Sequence, residues 1–389
     1  MLRVGIFIDT YFPMIDGVIN VVHNYAQRMN DDEFEVTVFC PIADKKYKDD
    51  FDYEVVRCKS MKVFFLDYTM PVPKLDQNFK KILKGSQLDI VHIHSPFGIG
   101  KMGVRYAKKH NIPVIATLHT QFEQDFYRAT HSKSITKSLL KTIMKVFNDC
   151  DECYAVNKRV AEIFYGYGAK RMPSVLFNST DMTPVEDGEA ADKLVNETYS
   201  LKADQPVFLF VGRITALKNI YLIVDALAQL KDTDFKMFFV GSGQDEAELK
   251  HRIEKNDLTD KIVMIGRITD RALLKSLYHR ANLFLFPSLY DANSLVQIEA
   301  ASQKTPTLFA EGAATSSTVT DGINGYTAPP EATQYAARIK EILSDQQKYQ
   351  EVCEGAYRDL YSTWDEAVEK IKQIYRDKIQ EHKNKQGAN

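Results

Sequence analysis

Short, unbroken apolar runs such as Val207-Phe208-Leu209-Phe210-Val211 and Leu283-Phe284-Leu285-Phe286 recur along this chain, each followed by a turn and a longer amphipathic stretch. A strand with no polar alternation must be covered on both faces, and only a parallel sheet sandwiched by helices covers it. In the first half the pattern predicts strands at Arg3–Asp9, Glu35–Cys40, Asp89–His94, Pro113–Leu118 and Glu152–Val156. Helices are expected between them at Val18–Met29, Phe79–Leu83, Gly100–Lys109 and Ser134–Phe147. A polar stretch from Asp181 to Gln205 reads as a linker, after which the alternation restarts. Strands are expected at Val207–Val211, Phe235–Val240, Ile262–Ile265, Leu283–Phe286 and Thr307–Phe309, and helices at Ile220–Leu230, Glu246–Lys255 and Arg271–His279. The fold class is α/β: two doubly wound parallel-sheet domains in tandem, residues 1–190 and 191–365. Ligands are expected in a deep cleft, at the carboxyl ends of the strands.

A long polar helix, Asp365–Glu381, carries the stripe Ala367, Val368, Ile371, Ile374, Tyr375 and Ile379, which needs a surface to lie on. The last residues, His382–Asn389, are expected to be disordered. No apolar stretch approaches the roughly 20 residues that span a bilayer. The chain enters a strand at once without a signal-peptide layout, and its five cysteines are an odd number, so a reducing cytoplasm is expected. A net charge of −2 argues against nucleic acid as the main partner. That charge is uneven: residues 1–175 carry 25 Lys and Arg against 20 Asp and Glu, and the remainder 25 against 32.

The chemistry concentrates at the strand–loop–helix corner Ser288–Ala300. Ser294 with Gln297 has the form of a capping box, so a helix should start near Leu295, with Asp291 in the loop before it and Glu299 one turn inside. A helix start attracts anions through its free amides. The segment Val211-Gly212-Arg213 through Lys218 follows the second domain's first strand and offers two cations, a planar fork and a point charge, at the same sheet edge. A diphosphate is the natural guest. Val240-Gly241-Ser242-Gly243 and Gly266 end strands without completing a dinucleotide fingerprint, so a nicotinamide cofactor is not favoured. In the first domain, Gly17 precedes a helix where it can approach a phosphate. His94 and His119 each end a strand, where a neutral imidazole suits hydrogen bonding to hydroxyls; His92 reads as structural. Cys150 and Cys153 enter a strand and read as structural, and the Asp-x-Asp pairs at Asp149 and Asp232 read as turns. No metal is implied.

Taken together, Asp9–Val18, the His119 strand end, Gly212-Arg213 to Lys218, Asp291 to Glu299, Asp321-Gly322-Ile323-Asn324-Gly325 and Trp364 resemble the retaining GT-B glycosyltransferases of the glycogen-synthase and sucrose-synthase-like group (family 4), near its bacterial glycolipid synthases. The resemblance spans nearly the whole chain. It implies two Rossmann-like domains and a final helix that returns to the first. It implies further that Glu299 holds ribose hydroxyls, Asp291 a donor-sugar hydroxyl, and the amides of Asn293, Ser294, Leu295 and Val296 the diphosphate. Arg213 and Lys218 match the pair that stabilises the leaving diphosphate, and His119 the sugar-contacting histidine. The Asp9–Val18 segment, with Gly17, matches the glycine-containing donor loop. Transfer with retention, without a metal or a resident cofactor and with UDP as the nucleotide, follows from the family. The sequence departs from it at Asp291, where Glu is usual, at Asn293-Ser294, which replaces an aromatic–glycine pair, and at Ser317, where an acid is frequent.

The expected function is therefore hexose transfer from a UDP-sugar, with a membrane glycolipid or diacylglycerol, or a cell-surface polysaccharide sugar, as acceptor. A nucleotide-sugar epimerase and a non-catalytic nucleotide-sugar binder fit the same motifs. On the Ser134–Phe147 helix, Lys133, Lys137, Lys141 and Lys145 form one stripe, with Ile135, Leu139, Ile143 and Phe147 roughly opposite. This reads either as a solvated face over a core or as contact with an anionic membrane surface, the latter placing the protein on the inner face of the membrane.

Overall fold

The computed structural model describes residues 1–14, 16–42, 47–62 and 69–387. They form two compact units, residues 1–178 with Trp364–Asn389, and Ser179–Thr363. The first unit contains β1 (Leu2–Phe7), α1 (Gly17–Met29), β2 (Phe34–Pro41), β3 (Glu54–Cys58), β4 (Ser60–Lys62), β5 (Thr69–Pro71), α2 (Gln77–Gly85), β6 (Ile90–Ile93), α3 (Gly98–His110), β7 (Val114–Leu118), α4 (Phe122–Thr130), α5 (Lys133–Phe147), β8 (Glu152–Ala155), α6 (Lys158–Gly166) and β9 (Ser174–Val175). The strands pair in parallel in the order β3-β2-β1-β6-β7-β8-β9, and β4 and β5 form a separate antiparallel pair. The helices start where the sequence supplies caps: Asp16 accepts from the Ile19 amide at 2.8 Å, and Asn157 from that of Val160 at 2.8 Å.

The second unit contains α7 (Gly188–Tyr199), β10 (Val207–Val211), α8 (Ile220–Ala228), β11 (Lys236–Val240), α9 (Glu246–Lys255), β12 (Ile262–Gly266), α10 (Arg271–Arg280), β13 (Leu283–Phe286), α11 (Leu295–Ser302), β14 (Thr307–Ala310), β15 (Tyr326–Ala328), α12 (Ala332–Ser344) and α13 (Gln346–Leu360). Its six strands are parallel, in the order β12-β11-β10-β13-β14-β15. All residues of β10 and β13 are buried, as their unbroken apolar runs require.

Four expectations are corrected. The stretch read as a linker holds α7, which packs on α10. Only Ala191 and Val195 of α7 are buried, so its apolar stripe is too thin to stand out in sequence. The buried Arg280 gathers this segment by donating to Asn196 Oδ1 and to the carbonyls of Lys202, Ala203 and Gln205. The boundary falls at 178/179 rather than 190, because Thr180 bridges to Thr363 and the Ser179 and Ser362 hydroxyls bond, which ties this segment to the second unit. The tail is helical. In α14 (Trp364–Gly387), His382 Nε2 and Gln386 Nε2 donate to the carbonyl of Asn111, the left-handed residue that ends α3; Ala388 and Asn389 lie outside the described residues. On α5 the buried residues are Thr136, Leu140, Ile143, Met144, Val146 and Phe147, so the core-facing stripe is rotated from the expected one and Ile135 is exposed.

Within the first unit, Ala367, Val368, Ile371, Tyr375 and Ile379 of α14 are buried. Ion pairs flank that stripe, Lys372 with Asp31 at 2.7 Å, Arg376 with Glu33 at 2.6 Å and Lys378 with Glu152 at 2.8 Å. Each fully buried Val or Ile is worth about 1.5–3 kcal/mol, so the apolar stripe, more than the partly exposed pairs, holds the helix down.

Candidate active site

In the second sheet the chain runs outward from β10 to β11 and β12, then returns to β13 on the opposite side of β10. The loops leaving β10 and β13 therefore part in opposite directions, which opens a crevice where doubly wound sheets bind ligands. The β10 loop begins at Gly212 and is fastened from beneath. Gly212 and Ile214 donate to the carbonyls of Val240 and Ser242, and Ala216 donates to Asp245 Oδ2 at 2.8 Å. The approach is close enough that a Cβ on Gly241 (φ 136°) would stand 1.9 Å from the Gly212 oxygen. The glycines after β11 thus serve loop-against-loop packing, which accounts for the incomplete fingerprint.

That loop presents Lys218, whose Nζ lies 2.8 and 2.7 Å from the two carboxylate oxygens of Asp291 in the β13 loop. The ammonium also stands 5.0 Å over the Phe286 ring. Both partners of the ion pair are largely buried, with side chains 17 and 20% exposed. Arg213 is exposed, and no partner for it is found among the described residues.

At the corner, Ser294 is the N-cap of α11 and accepts from the Gln297 amide at 3.3 Å. The expected reciprocal half of the capping box does not form: the Gln297 side chain exchanges hydrogen bonds with Thr318 Oγ1 at 2.7 and 3.0 Å instead. Gln297 is buried and has a fixed partner four residues before Gly322, while the Ser294 amide it would have capped is buried and already engaged by a neighbouring side chain. Asn293 Oδ1 accepts from the Ser294 amide at 2.9 Å. The Leu295 and Val296 amides have no protein acceptor among the described residues, so they remain open to an anion. One turn inside, Glu299 accepts from the Tyr278 hydroxyl at 2.9 Å, and Arg271 lies 3.5 Å away. Burial pushes the Glu299 carboxyl above its ordinary pKa, against the lowering by Tyr278 and Arg271.

The first unit has a switch point of its own, between β1 and β6, but its anion site is already filled. The buried Asp9 carboxylate accepts from the amides of Ile99 at 2.7 Å and Phe97 at 3.2 Å, at the start of α3, and from Ser95 Oγ at 2.6 Å. Burial raises its pKa, and these hydrogen bonds oppose the rise. Gly17 is exposed at the head of α1, where Asp16 occupies the Ile19 amide. An exogenous phosphate therefore meets open helix amides at α11 and a protein carboxylate at α3.

Beyond β6 and β7 stands a histidine cluster. His94 Nδ1 and His119 Nε2 are 2.9 Å apart, with ring planes 18° apart. His92 is buried with both nitrogens engaged, Nδ1 to Tyr375 and Nε2 to Thr117, each at 2.7 Å. His94, expected to be open to ligand at its strand end, is 4% exposed because Tyr25 and the two other histidines enclose it. Burial lowers the pKa of His92 and of His119 to about 3; burial, with its two histidine neighbours adding to it, also holds His94 well below its ordinary value, so all three are neutral at physiological pH.

Residues 15–182 match the family described as Glycosyltransferase Family 4, and residues 195–359 match Glycosyl transferases group 1. The chain belongs to the GT-B glycosyltransferases. It is 26% identical to the alpha-monoglucosyldiacylglycerol synthase of Streptococcus pneumoniae, over 79% of this chain and 70% of that one. To the enzyme of the same name from Acholeplasma laidlawii it is 26% identical, over 93 and 95%. Anabaena HepE in complex with UDP and glucose shares the fold, with a TM-score of 0.74 at 15% identity, covering 97% of this chain and all of that one.

In this glycosyltransferase the structure brings Lys218 and Asp291 into direct contact and puts Glu299 and the open amides together on α11 of the same unit. Tyr278 and Arg271 of α10, Phe286 at the end of β13 and Thr318 line the same corner and escape sequence reasoning as site residues, because their roles arise from contacts between separate elements and not from a local motif. No group of three His, Cys, Asp or Glu placed to hold a metal is found among the described residues, and none of their helices is long and apolar enough to cross a membrane.

Proposed function

We propose that this glycosyltransferase moves a hexose from a UDP-sugar to a membrane glycolipid or diacylglycerol, with retention at the anomeric carbon, making an α-glycosidic bond. The observation that carries the reading is the α11 corner, where open amides at Leu295 and Val296 share one sheet edge with the half-buried Lys218 and its partner Asp291. A diphosphate settling there takes Lys218 from Asp291 and leaves the carboxylate to accept from a donor-sugar hydroxyl. Arg213 adds a second cation as charge develops on the leaving diphosphate. Glu299, already an acceptor of hydrogen bonds, receives the ribose hydroxyls, and the backbone at Gly212 and Gly17 allows close approach to the donor. His119 contacts the sugar. Arg213, Lys218 and the amides meet the diphosphate charge, so the proposal needs no metal ion. The departing phosphate oxygen takes the acceptor proton on the face it leaves, which gives retention.

Two features support a lipid acceptor: the names of the two bacterial relatives, and the exposed Lys133, Lys137, Lys141 and Lys145 on α5. Near an anionic surface each such lysine contributes about 1 kcal/mol. The test is nucleotide release from UDP- and GDP-sugars, with and without phosphatidylglycerol vesicles containing diacylglycerol. Acceptor-stimulated UDP release supports the reading; sugar isomerisation on donor alone would make the protein an epimerase. Stimulation by soluble saccharides only would move the acceptor to polysaccharide. Vesicle co-sedimentation unaffected by Lys137→Ala/Lys141→Ala would remove the membrane contact.

A further inference from the structure

We propose that His94 is a positioning residue that holds His119 in the tautomer with its proton on Nδ1, so that His119 meets the donor sugar as a hydrogen-bond donor; this rests on the reading above that His119 touches that sugar. The parallel register of β6 and β7 pairs Ile93 with Ala116, which brings the two strand ends side by side and the two imidazoles to 2.9 Å. One proton must lie between His94 Nδ1 and His119 Nε2. The other nitrogen of His94 decides which ring owns it, because His94 Nε2 is buried with no hydrogen-bond partner.

A neutral imidazole carries one proton. If His119 donated, the His94 proton would sit on Nε2 as a buried, unpaired N–H. If His94 donates from Nδ1, its Nε2 is only a lone pair without a donor. Orphaned buried N–H groups are the rarer of the two, so the proton belongs to His94 Nδ1. A doubly protonated His94 is excluded by its burial and by the histidines on both sides of it. His119 Nε2 is then an acceptor, and its own proton is on Nδ1, for which no protein partner is found among the described residues.

His94 is held in this role. The His92 ring is 4.1 Å away, itself fixed by Tyr375 of α14 and by Thr117, and Tyr25 closes the edge at 6.1 Å. His119 therefore offers an N–H to a sugar oxygen, whatever the pH between about 5 and 8.

Two substitutions separate positioning from packing. His94→Asn sets an amide N–H near the place of Nδ1–H but empties part of the stack; His94→Phe fills the stack and offers no donor. Turnover is read as UDP release from UDP-glucose over phosphatidylglycerol vesicles containing dioleoylglycerol. His94→Asn is expected to keep kcat/KM within about threefold and His94→Phe to lose roughly tenfold or more, the worth of one hydrogen bond. The reverse ranking would mean that His94 only fills space, and would overturn the proposal. Long-range nitrogen–proton spectra of the full-length wild type should show His119 protonated on Nδ1, and those of His94→Phe a shift towards Nε2. A wild-type His119 protonated on Nε2 sinks the proposal alone. Turnover unaltered by His119→Ala, with the Nδ1 tautomer still seen, sinks the sugar contact and this proposal with it.

Discussion

Lys218→Ala is the most direct test of where the negative charge goes. In the free protein the ammonium is held at 2.7–2.8 Å by Asp291, mostly out of water and over the Phe286 ring. At about 4 Å from a phosphate oxygen, with an effective dielectric of roughly 20, one such charge contributes about 4 kcal/mol. Removing a single charge-stabilising donor from an active site costs about 2.7–4 kcal/mol, so kcat should fall by roughly 10² to 10³. Stability should respond far less. The pair keeps about a fifth of its side-chain surface in water, so breaking it costs about 1 kcal/mol, or a 2–4 °C fall in the melting temperature of a unit this size. Adding Asp291→Asn removes the negative charge that Lys218 balances and should recover that stability without recovering turnover. The assay is UDP release under saturating donor, paired with thermal unfolding of each variant. A Lys218→Ala protein that melts as expected but keeps kcat within about threefold of wild type would refute the argument, because the diphosphate would then be neutralised elsewhere.

Glu299→Gln should separate stability from function. Its carboxyl pKa is raised in the fold, so its contribution is present below its ordinary pKa of 4.5 and is lost as pH rises through the raised value. The variant should melt higher than wild type at pH 7.5, with the gain fading near pH 4, while UDP binding measured by calorimetry weakens by about tenfold or more as a charged hydrogen bond is lost. Gly241→Ala drives a methyl into the Gly212 carbonyl and should destabilise the second unit by about 3 kcal/mol or more in urea unfolding, or prevent soluble expression. Acid should weaken the first unit. His92, His94 and His119 are neutral when folded and charge near pH 6.5 when unfolded, so lowering pH from 7 to 5 should remove about 2 kcal/mol of unfolding free energy for each. An unchanged urea midpoint between those pH values would contradict their staying neutral in the fold.

Sequence by itself determined the fold class and most strand positions, because an apolar run with no alternation admits only a doubly covered strand. It also determined the start of α11, since Ser294 is a cap by local chemistry, and the buried stripe of α14, since period alone places those residues on one face. Weakly amphipathic helices such as α7 were beyond it: two buried residues make no period, and the anchor, Arg280, is distant in sequence. Tertiary structure alone decided pairings. Lys218 and Asp291 are 73 residues apart, and only the crossing from one side of β10 to the other brings their loops together. Gln297 turned to Thr318 rather than to its cap because the fold sets Thr318 against it, and the Ser294 amide is already taken by Asn293 Oδ1. Asp9, legible only as the end of a strand, is folded onto the amides that open α3, whereas α11 keeps its first amides free; which helix can accept an anion is settled by what else has been packed against it.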